Sequence, residues 1–257
     1  PQVSLGTEHS CRKNFHLLMT DGEWNNSGTP GETGLTSRTN LDGTAQTLPD
    51  GTVFSAGTRP YTDNYSGSLA DHIFYYWMTD LRTGLANDVP EKYVDKSGTN
   101  PYWDPRNDPA KWQHMVTYTV GLGLSANLVA TTTNPGWDGS TYAGDYSLIA
   151  DGTKSWPSQS STAGKIYDLW HGAINSRGQF YSSESPADIT NAFSSILGAV
   201  TDTGGSAAGL ASNSTSIQPN NTSVYQAKVD STVWMGKLLL LPVQAGGTIG
   251  NAQWDAG

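Results

Sequence analysis

Two kinds of apolar pattern alternate along the chain. Phe15 to Met19 is an almost unbroken apolar run, closed by Thr20-Asp21-Gly22. A short apolar run ended by a turn signal reads as a strand buried on both faces, as in parallel sheets. Trp112 to Leu124 is the second such stretch, β-branched and apolar, ending in a glycine-rich turn. Helical periodicity fills the space between. Ser68-Leu69-Ala70-Asp71 reads as a capping box opening a helix to about Arg82, with Gly84 as its stop. Leu69, Ile73, Tyr76 and Trp77 fall on its inner face, widened by Phe74 and Met78. Lys165 to Asn175 gives a second helix with Ile166, Leu169, Trp170 and Ile174 inward, and Gln179 to Ser182 a short strand. Ser185-Pro186 is an N-cap followed by a first-turn proline. Ile189, Ala192, Phe193, Ile196, Leu197 and Val200 then recur at helical spacing. This order of strands and helices predicts an α/β fold with a largely parallel sheet.

Polar stretches interrupt the pattern. Residues 25–67 are rich in Gly, Thr, Asn and Pro, and Asp42-Gly43 and Asp50-Gly51 are hairpin-type dipeptides. Ala45 to Leu48 and Thr52 to Ser55 are expected to pair as short strands. Such a stretch is too long for a plain loop and suggests functional surface or a small subdomain. Residues 84–110 return to loop, with Asn100 to Pro105 as a rigid aromatic turn, and residues 131–164 form a second insertion holding Trp137, Trp156 and Asp151-Gly152. Residues 201–223 read as a linker. Val224 to Val229 and Trp234 to Val243 then look like antiparallel strands of a separate all-β unit, with Gln253-Trp254-Asp255 too short to close a sheet.

Composition narrows the function classes. At 257 residues the chain suits one large domain or two ordinary ones. Charged residues are only 14% and the net charge is −9, which argues against a nucleic-acid backbone or an anionic membrane surface as partner. No apolar run approaches the roughly 20 residues of a membrane span. Cys11 is the only cysteine, so no disulfide forms within the chain. Catalytic motifs are absent: no nucleophile elbow, zinc-protease helix or phosphate-binding glycine loop occurs. His16 and His114 fall inside predicted strands as core or sheet-edge residues, while His72 and His171 fall on helices. Asp42, Asp50 and Asp151 need no role beyond their Asp-Gly turns. Aromatic residues in the insertions suit either a contact surface or anchors for long loops, with anchoring the heavier reading. Glycosylation-type triplets begin at Asn25, Asn213 and Asn220. Asp21 stays open between a simple turn residue and a cation or polar-ligand carboxylate at the carboxyl edge of a parallel strand.

Five blocks, in order, carry a resemblance: Cys11 to Asn25, Leu69 to Trp77, Trp112 to Gly123, Asp168 to Phe180, and Val224 to Ala227 with Trp234-Met235-Gly236. Across them the chain resembles the conserved half of the PilY/PilC proteins, the type IV pilus tip-associated adhesins. The resemblance implies an open, mostly parallel von Willebrand factor A-like (Rossmann-like) sheet, incomplete here and carrying loop and hairpin insertions, followed by a β-propeller. On that reading residues 1–203 are the later part of the A domain, 204–223 a linker and 224–257 the opening propeller strands. Thr20-Asp21-Gly22 matches the last of three segments that build the family's metal-ion-dependent adhesion site, so Asp21 carries over as its carboxylate. The Asp-x-Ser-x-Ser turn and threonine loop of that site are not in these residues. The resemblance therefore implies an Mg, Mn or Ca ion in the intact protein, bound weakly or not at all by this piece, since one carboxylate supplies one or two of about six ligands. Phe15's strand is expected to be a middle strand of a sheet whose beginning lies elsewhere.

The implied function is non-enzymatic: adhesion and pilus assembly at the pilus tip, outside the cell after export through the periplasm. Partners would be minor pilins and a host-cell or abiotic surface ligand, with no nucleic acid and no membrane insertion. A purely structural cap on minor pilins is the alternative, and a secreted hydrolase a lesser one. Cys11 is expected to pair, in the complete protein, with a cysteine outside these residues. Mass spectrometry of the oxidised full-length protein should find it blocked to alkylation; a free thiol there refutes the pairing.

Overall fold

The computed structural model describes residues 8–21, 39–123, 128, 136–202, 210–212, 223–230, 235–244 and 253–256. The chain divides into two compact units, residues 1–196 and 197–257. In chain order the first holds β1 (Asn14–Thr20), β2 (Gln46–Thr47), β3 (Val53–Phe54), α1 (Leu69–Met78), β4 (Met115–Leu122), α2 (Asp145–Ala150), α3 (Thr162–Asn175), β5 (Phe180–Ser183) and the start of α4 (Pro186–Asp202). Its sheet has the order β1-β4-β5 with every pairing parallel, as the alternating pattern requires. The β2–β3 hairpin forms at the predicted place, antiparallel around Asp50-Gly51.

The core lies between the sheet and the helices. Phe74, Trp77, Ile166, Leu169, Trp170, Ile174 and Phe180 are almost wholly buried. Each fully buried large side chain contributes about 1.5–3 kcal/mol. Gly172 sets how closely α1 and α3 approach. A Cβ there would meet Ile73 Cδ1 at 2.7 Å and Ala70 Cα at 3.6 Å. Gly178 does the same between the end of α3 and β4, where a Cβ would fall 1.9 Å from the Thr117 carbonyl.

Several expectations are corrected. β1 is half-buried rather than buried on both faces, since its only neighbour among the described residues is β4; Met19 is 43% exposed and His16 is exposed. The first helix ends at Met78, four residues before Arg82, because Thr79 turns extended and Leu81 donates its N–H to the Gln113 carbonyl. Tyr76 faces solvent, and Ala70 and Asp71 take the inner face with Ile73, Phe74 and Trp77. α3 begins three residues earlier than predicted, with the Ser161 side chain accepting from the Gly164 N–H. Leu197 is exposed although its spacing places it inward. The second insertion contains the short α2, which periodicity does not reveal.

Insertion aromatics are mostly core. Trp156 is buried and donates to the Pro60 carbonyl at 2.6 Å, and Trp137 packs edge-on against Trp170 and Phe180. Buried Asp145 accepts from the Gly136 N–H, from Lys154 and from the Tyr167 hydroxyl, tying the second insertion to α3. The aromatic turn at 100–105 is a short 3-10 helix, Pro101–Trp103.

In the second unit, β6 (Leu210–Ser212), β7 (Ser223–Asp230), β8 (Met235–Pro242) and β9 (Trp254–Ala256) form an antiparallel meander in the order β6-β7-β8-β9. β7 and β8 are the two strands expected. β6 lies within the stretch read as linker, and β9 adds the Trp254 segment as an edge strand. Linker residues 203–209 and 213–222, and with them two of the three glycosylation-type triplets, fall outside the described residues, as does the triplet at Asn25.

His114 sits in a buried cage rather than as a bland sheet residue. Its Nε2 lies 3.0 Å from Asp108 Oδ2, its Nδ1 2.7 Å from the Trp112 carbonyl, and Trp77 Nε1 donates to Asp108 Oδ1 at 3.2 Å. Burial raises the Asp108 carboxyl, but His114, Lys13 and the Trp77 N–H more than offset this and hold it below the ordinary range. A depressed folded-state pKa gives stability present above the unfolded value, near 4, and lost as pH falls through the folded value. Asp108→Asn should therefore cost roughly 3–5 kcal/mol in denaturant melts at neutral pH. The gap to the wild type should narrow as the pH falls below about 4.

Candidate functional site

Asp21 follows the carboxyl end of β1, where Thr20 stands in register with Gly121 of β4. It is exposed, and the Thr20 hydroxyl reaches its Oδ1 at 3.5 Å. The edge is the one at which open parallel sheets bind ligands. The two side chains offer three oxygens, about half of what a hard divalent cation needs. Among the described residues Asp21 joins no cluster of three or more ligating side chains, so these residues alone do not fit a closed cation site.

A different set of acids converges in the interior. The first turn of α1 is capped twice. Ser68 Oγ accepts from the Asp71 N–H at 3.0 Å, and the Asp71 carboxylate accepts from the Ser68 N–H at 3.1 Å. Asp168, on α3, then accepts the Leu69 N–H at 2.9 Å and the Ala70 N–H at 3.0 Å with its two oxygens. A helix N-terminus leaves these donors free and its dipole favours negative charge, so the sequence places acids there. Asp71 also accepts from the Leu41 N–H at 2.6 Å, which hangs the first insertion on the same helix end.

From that insertion Asp42 and Asp63 reach His171 of α3. His171 Nε2 lies 3.5 Å from Asp42 Oδ2, and Nδ1 lies 3.5 Å from Asp63 Oδ2. Nε2 also contacts the Tyr61 carbonyl at 2.5 Å, and Trp156 stacks on the ring with centroids 4.4 Å apart. Asn175 Nδ2 donates to Asp42 Oδ2 at 2.8 Å. Asp42, Asp63, His171 and Asn175 are all 5% exposed or less. Burial, above all, pushes Asp42 up to about 8, and His171 pulls it back only in part. Burial also pushes Asp168 up to about 6, against the pull of its two backbone bonds.

Arg177 closes the far end of α3. Its backbone is left-handed, with φ of 67°, and its guanidinium carbon lies 4.4 Å from the Trp77 ring centre, 4.6 Å from Tyr61 and 5.6 Å from Trp103. It donates to the Asp104 and Tyr102 carbonyls at 3.2 and 3.3 Å. Above it a groove of about 610 Å³ opens between the insertions, lined in part by Arg59, Trp103, Asp104, Arg106, Tyr142 and Tyr146.

This chain is 47% identical over 201 residues to the type IV pilus biogenesis factor PilY1 of Pseudomonas aeruginosa strain PAK, covering 77% of this chain and 16% of that protein. It is 42% identical over 266 aligned positions to the PilY1 of strain UCBPP-PA14, covering 98% of this chain and 22% of that protein. The chain belongs to the PilY1 family. It spans about a fifth of the length of the relatives it matches. No family model matches the chain, and no solved structure matches it.

Within this PilY1-family segment, sequence reasoning singles out Asp21 but passes over the interior acids. Asp42 is not a bare turn residue: it is fully buried and bonded across the fold to Asn175. One signal is available. Asp168, His171 and Asn175 recur at helical spacing through the otherwise apolar stretch Ile166 to Ile174, a polar stripe on a core helix. Asp63 carries no local signal. For Asp168, Asn keeps the shape but offers one accepting oxygen. Asp168→Asn should orphan one first-turn N–H and cost about 1–3 kcal/mol, read as a lowered thermal midpoint.

Proposed function

We propose that the chain is a segment of a type IV pilus biogenesis factor displayed at the pilus tip, where it also acts as a cation-dependent adhesin. The observation that carries this is Asp21, exposed at the carboxyl edge of parallel β1 in a chain of the PilY1 family. In this reading Asp21 is one carboxylate of an adhesion site for Mg, Mn or Ca. The remaining ligands come from parts of the longer protein beyond these residues. Residues 1–203 then belong to a von Willebrand factor A-like domain, and the meander opens a β-propeller, whose blades are four-stranded antiparallel sheets.

In this reading the long insertions shape the contact surface. The groove fits a polar ligand, with guanidinium groups from Arg59 and Arg106 and aromatic walls from Trp103, Tyr142 and Tyr146. Minor pilins are the assembly partners in this reading, and a host-cell or abiotic surface supplies the ligand. An extracellular location follows from the pilus tip, and no described helix is long and apolar enough to cross a membrane.

A structural cap on minor pilins is the second reading, favoured by the insertion aromatics that pack inward as anchors. A hydrolase is disfavoured by the two histidines that contact carboxylates. Both are buried, and among the described residues neither imidazole hydrogen-bonds a hydroxyl or thiol. Asp21→Ala in the full-length protein separates the first two readings. Adhesion to a surface should fall at least about tenfold, a loss worth roughly 1.4 kcal/mol or more in binding, while pilus number stays normal. Unchanged adhesion with normal piliation leaves only the structural role.

A further inference from the structure

The interior acids raise a problem of charge. Asp42, Asp71 and Asp168 are each buried within electrostatic reach of Asp63, and among the described residues His171 is the basic side chain that faces Asp42, Asp63 and Asp168. Buried carboxylates persist only when protonated, paired or bound to a cation. Asp71 and Asp168 have their partners in the N–H groups of α1. Asp42 and Asp63 do not resolve so simply.

Each of these two acids commits one oxygen to the backbone. Asp42 Oδ1 accepts from the Asp63 N–H at 3.2 Å, and Asp63 Oδ1 accepts from the Tyr65 N–H at 2.7 Å. Each thereby turns its Oδ2 toward His171. The resulting separations of 3.5 Å are long for a charged hydrogen bond. The one between Asp63 Oδ2 and Nδ1 matches the edge of a tetrahedron whose bonds are about 2.1 Å long, the ordinary reach of zinc to nitrogen and oxygen. The imidazole is oriented in the same way. Nε2 is held by the Tyr61 carbonyl, and Nδ1, fully buried, has no hydrogen-bond partner. A ligating histidine characteristically gives its other ring N–H to a backbone carbonyl, which fixes tautomer and direction. Asn175 Oδ1 is the second buried polar atom there without a partner. A half-turn of that amide presents the oxygen in place of Nδ2, next to Asp42 Oδ2.

We propose that Asp42, Asp63 and His171 form a structural site for a zinc-class divalent cation, with the Asn175 amide as fourth donor. One donor atom from each of the three lies within 4.8 Å of the others. Imidazole with carboxylates selects zinc-class metals over magnesium or calcium, which prefer oxygen alone. The site is closed to solvent, so the metal enters as the chain folds and its binding energy becomes folding energy. It staples the insertion carrying residues 42 and 63, whose regular structure among the described residues is two short strands, to the core helix α3. It is distinct from Asp21 and does not depend on adhesion.

The test uses the 257-residue chain, unfolded with chelator and refolded with zinc, calcium or neither. After gel filtration, elemental analysis should find one zinc per chain, unchanged in Asp21→Ala. Cobalt refolded in its place should give the ligand-field absorption of a tetrahedral site, a readout that needs no variant. Asp63→Asn preserves shape and the Tyr65 contact, and should weaken zinc binding by more than the roughly 10–100-fold typical of outer-shell losses. His171→Gln should abolish the cobalt spectrum. Folded wild-type chain that takes up neither zinc nor cobalt, and whose melting is indifferent to chelator, overturns the proposal in favour of carboxylates neutralised by protons. Uptake of calcium alone overturns the cation class.

Discussion

The first turn of α1 is the constraint on which the rest of the first unit depends. Its free N–H groups are claimed by Ser68 and by both oxygens of Asp168, which belongs to a helix about a hundred positions along. That bidentate grip fixes the register of α1 against α3, and Gly172 lets the two helices meet closely enough for the grip to form. Asp71, held by the same turn, reaches out to the Leu41 N–H and so fixes that point of the first insertion against α1. Remove the carboxylates and the helices lose the bonds that hold this register, in which Ile73 packs over Gly172.

The acids divide their labour between rim and interior. The exposed Asp21 lies at a strand end, where a ligand can approach. Asp42, Asp63, Asp71 and Asp168 are sealed, and they tie the first insertion and the two core helices together. The described parts of the long insertions, residues 39–67 and 136–164, are therefore anchored to the core of the first unit rather than loose decorations. Trp137 and Trp156 serve as anchors, and the groove lined by Trp103, Tyr142 and Tyr146 keeps aromatic surface in reach of solvent.

Much of this is legible in the sequence, and the failures share a cause. Strands β1, β4 and β5, the Ser68 capping box, the hairpin at Asp50-Gly51 and the inward face of α3 all come from local periodicity and turn chemistry. Tyr76 and Leu197 go wrong because a helix has several faces and local spacing does not reveal which one meets the core. The site residues fail more deeply. Asp42 and Asp63 sit 21 positions apart in a polar segment and meet His171 over 100 positions later. No short-range pattern encodes that meeting; only the polar stripe on α3 hints that something other than hydrocarbon must face it.

Arg177 carries a consequence for the setting in which such a protein works. Its guanidinium is held by the faces of Trp77, Tyr61 and Trp103 and by two carbonyls, not by a carboxylate. Burial lowers its pKa, yet a guanidinium starts so high that it keeps its charge. Surface pairs such as Arg106 with Asp104 and Arg82 with Glu8 lose strength as ions accumulate around them. Ring faces and carbonyl dipoles in a dry interior do not. The joint between the aromatic loop and the core sheet is therefore insulated from the ionic medium: brackish water, mucus and dilute buffer should all meet the same rigid clasp.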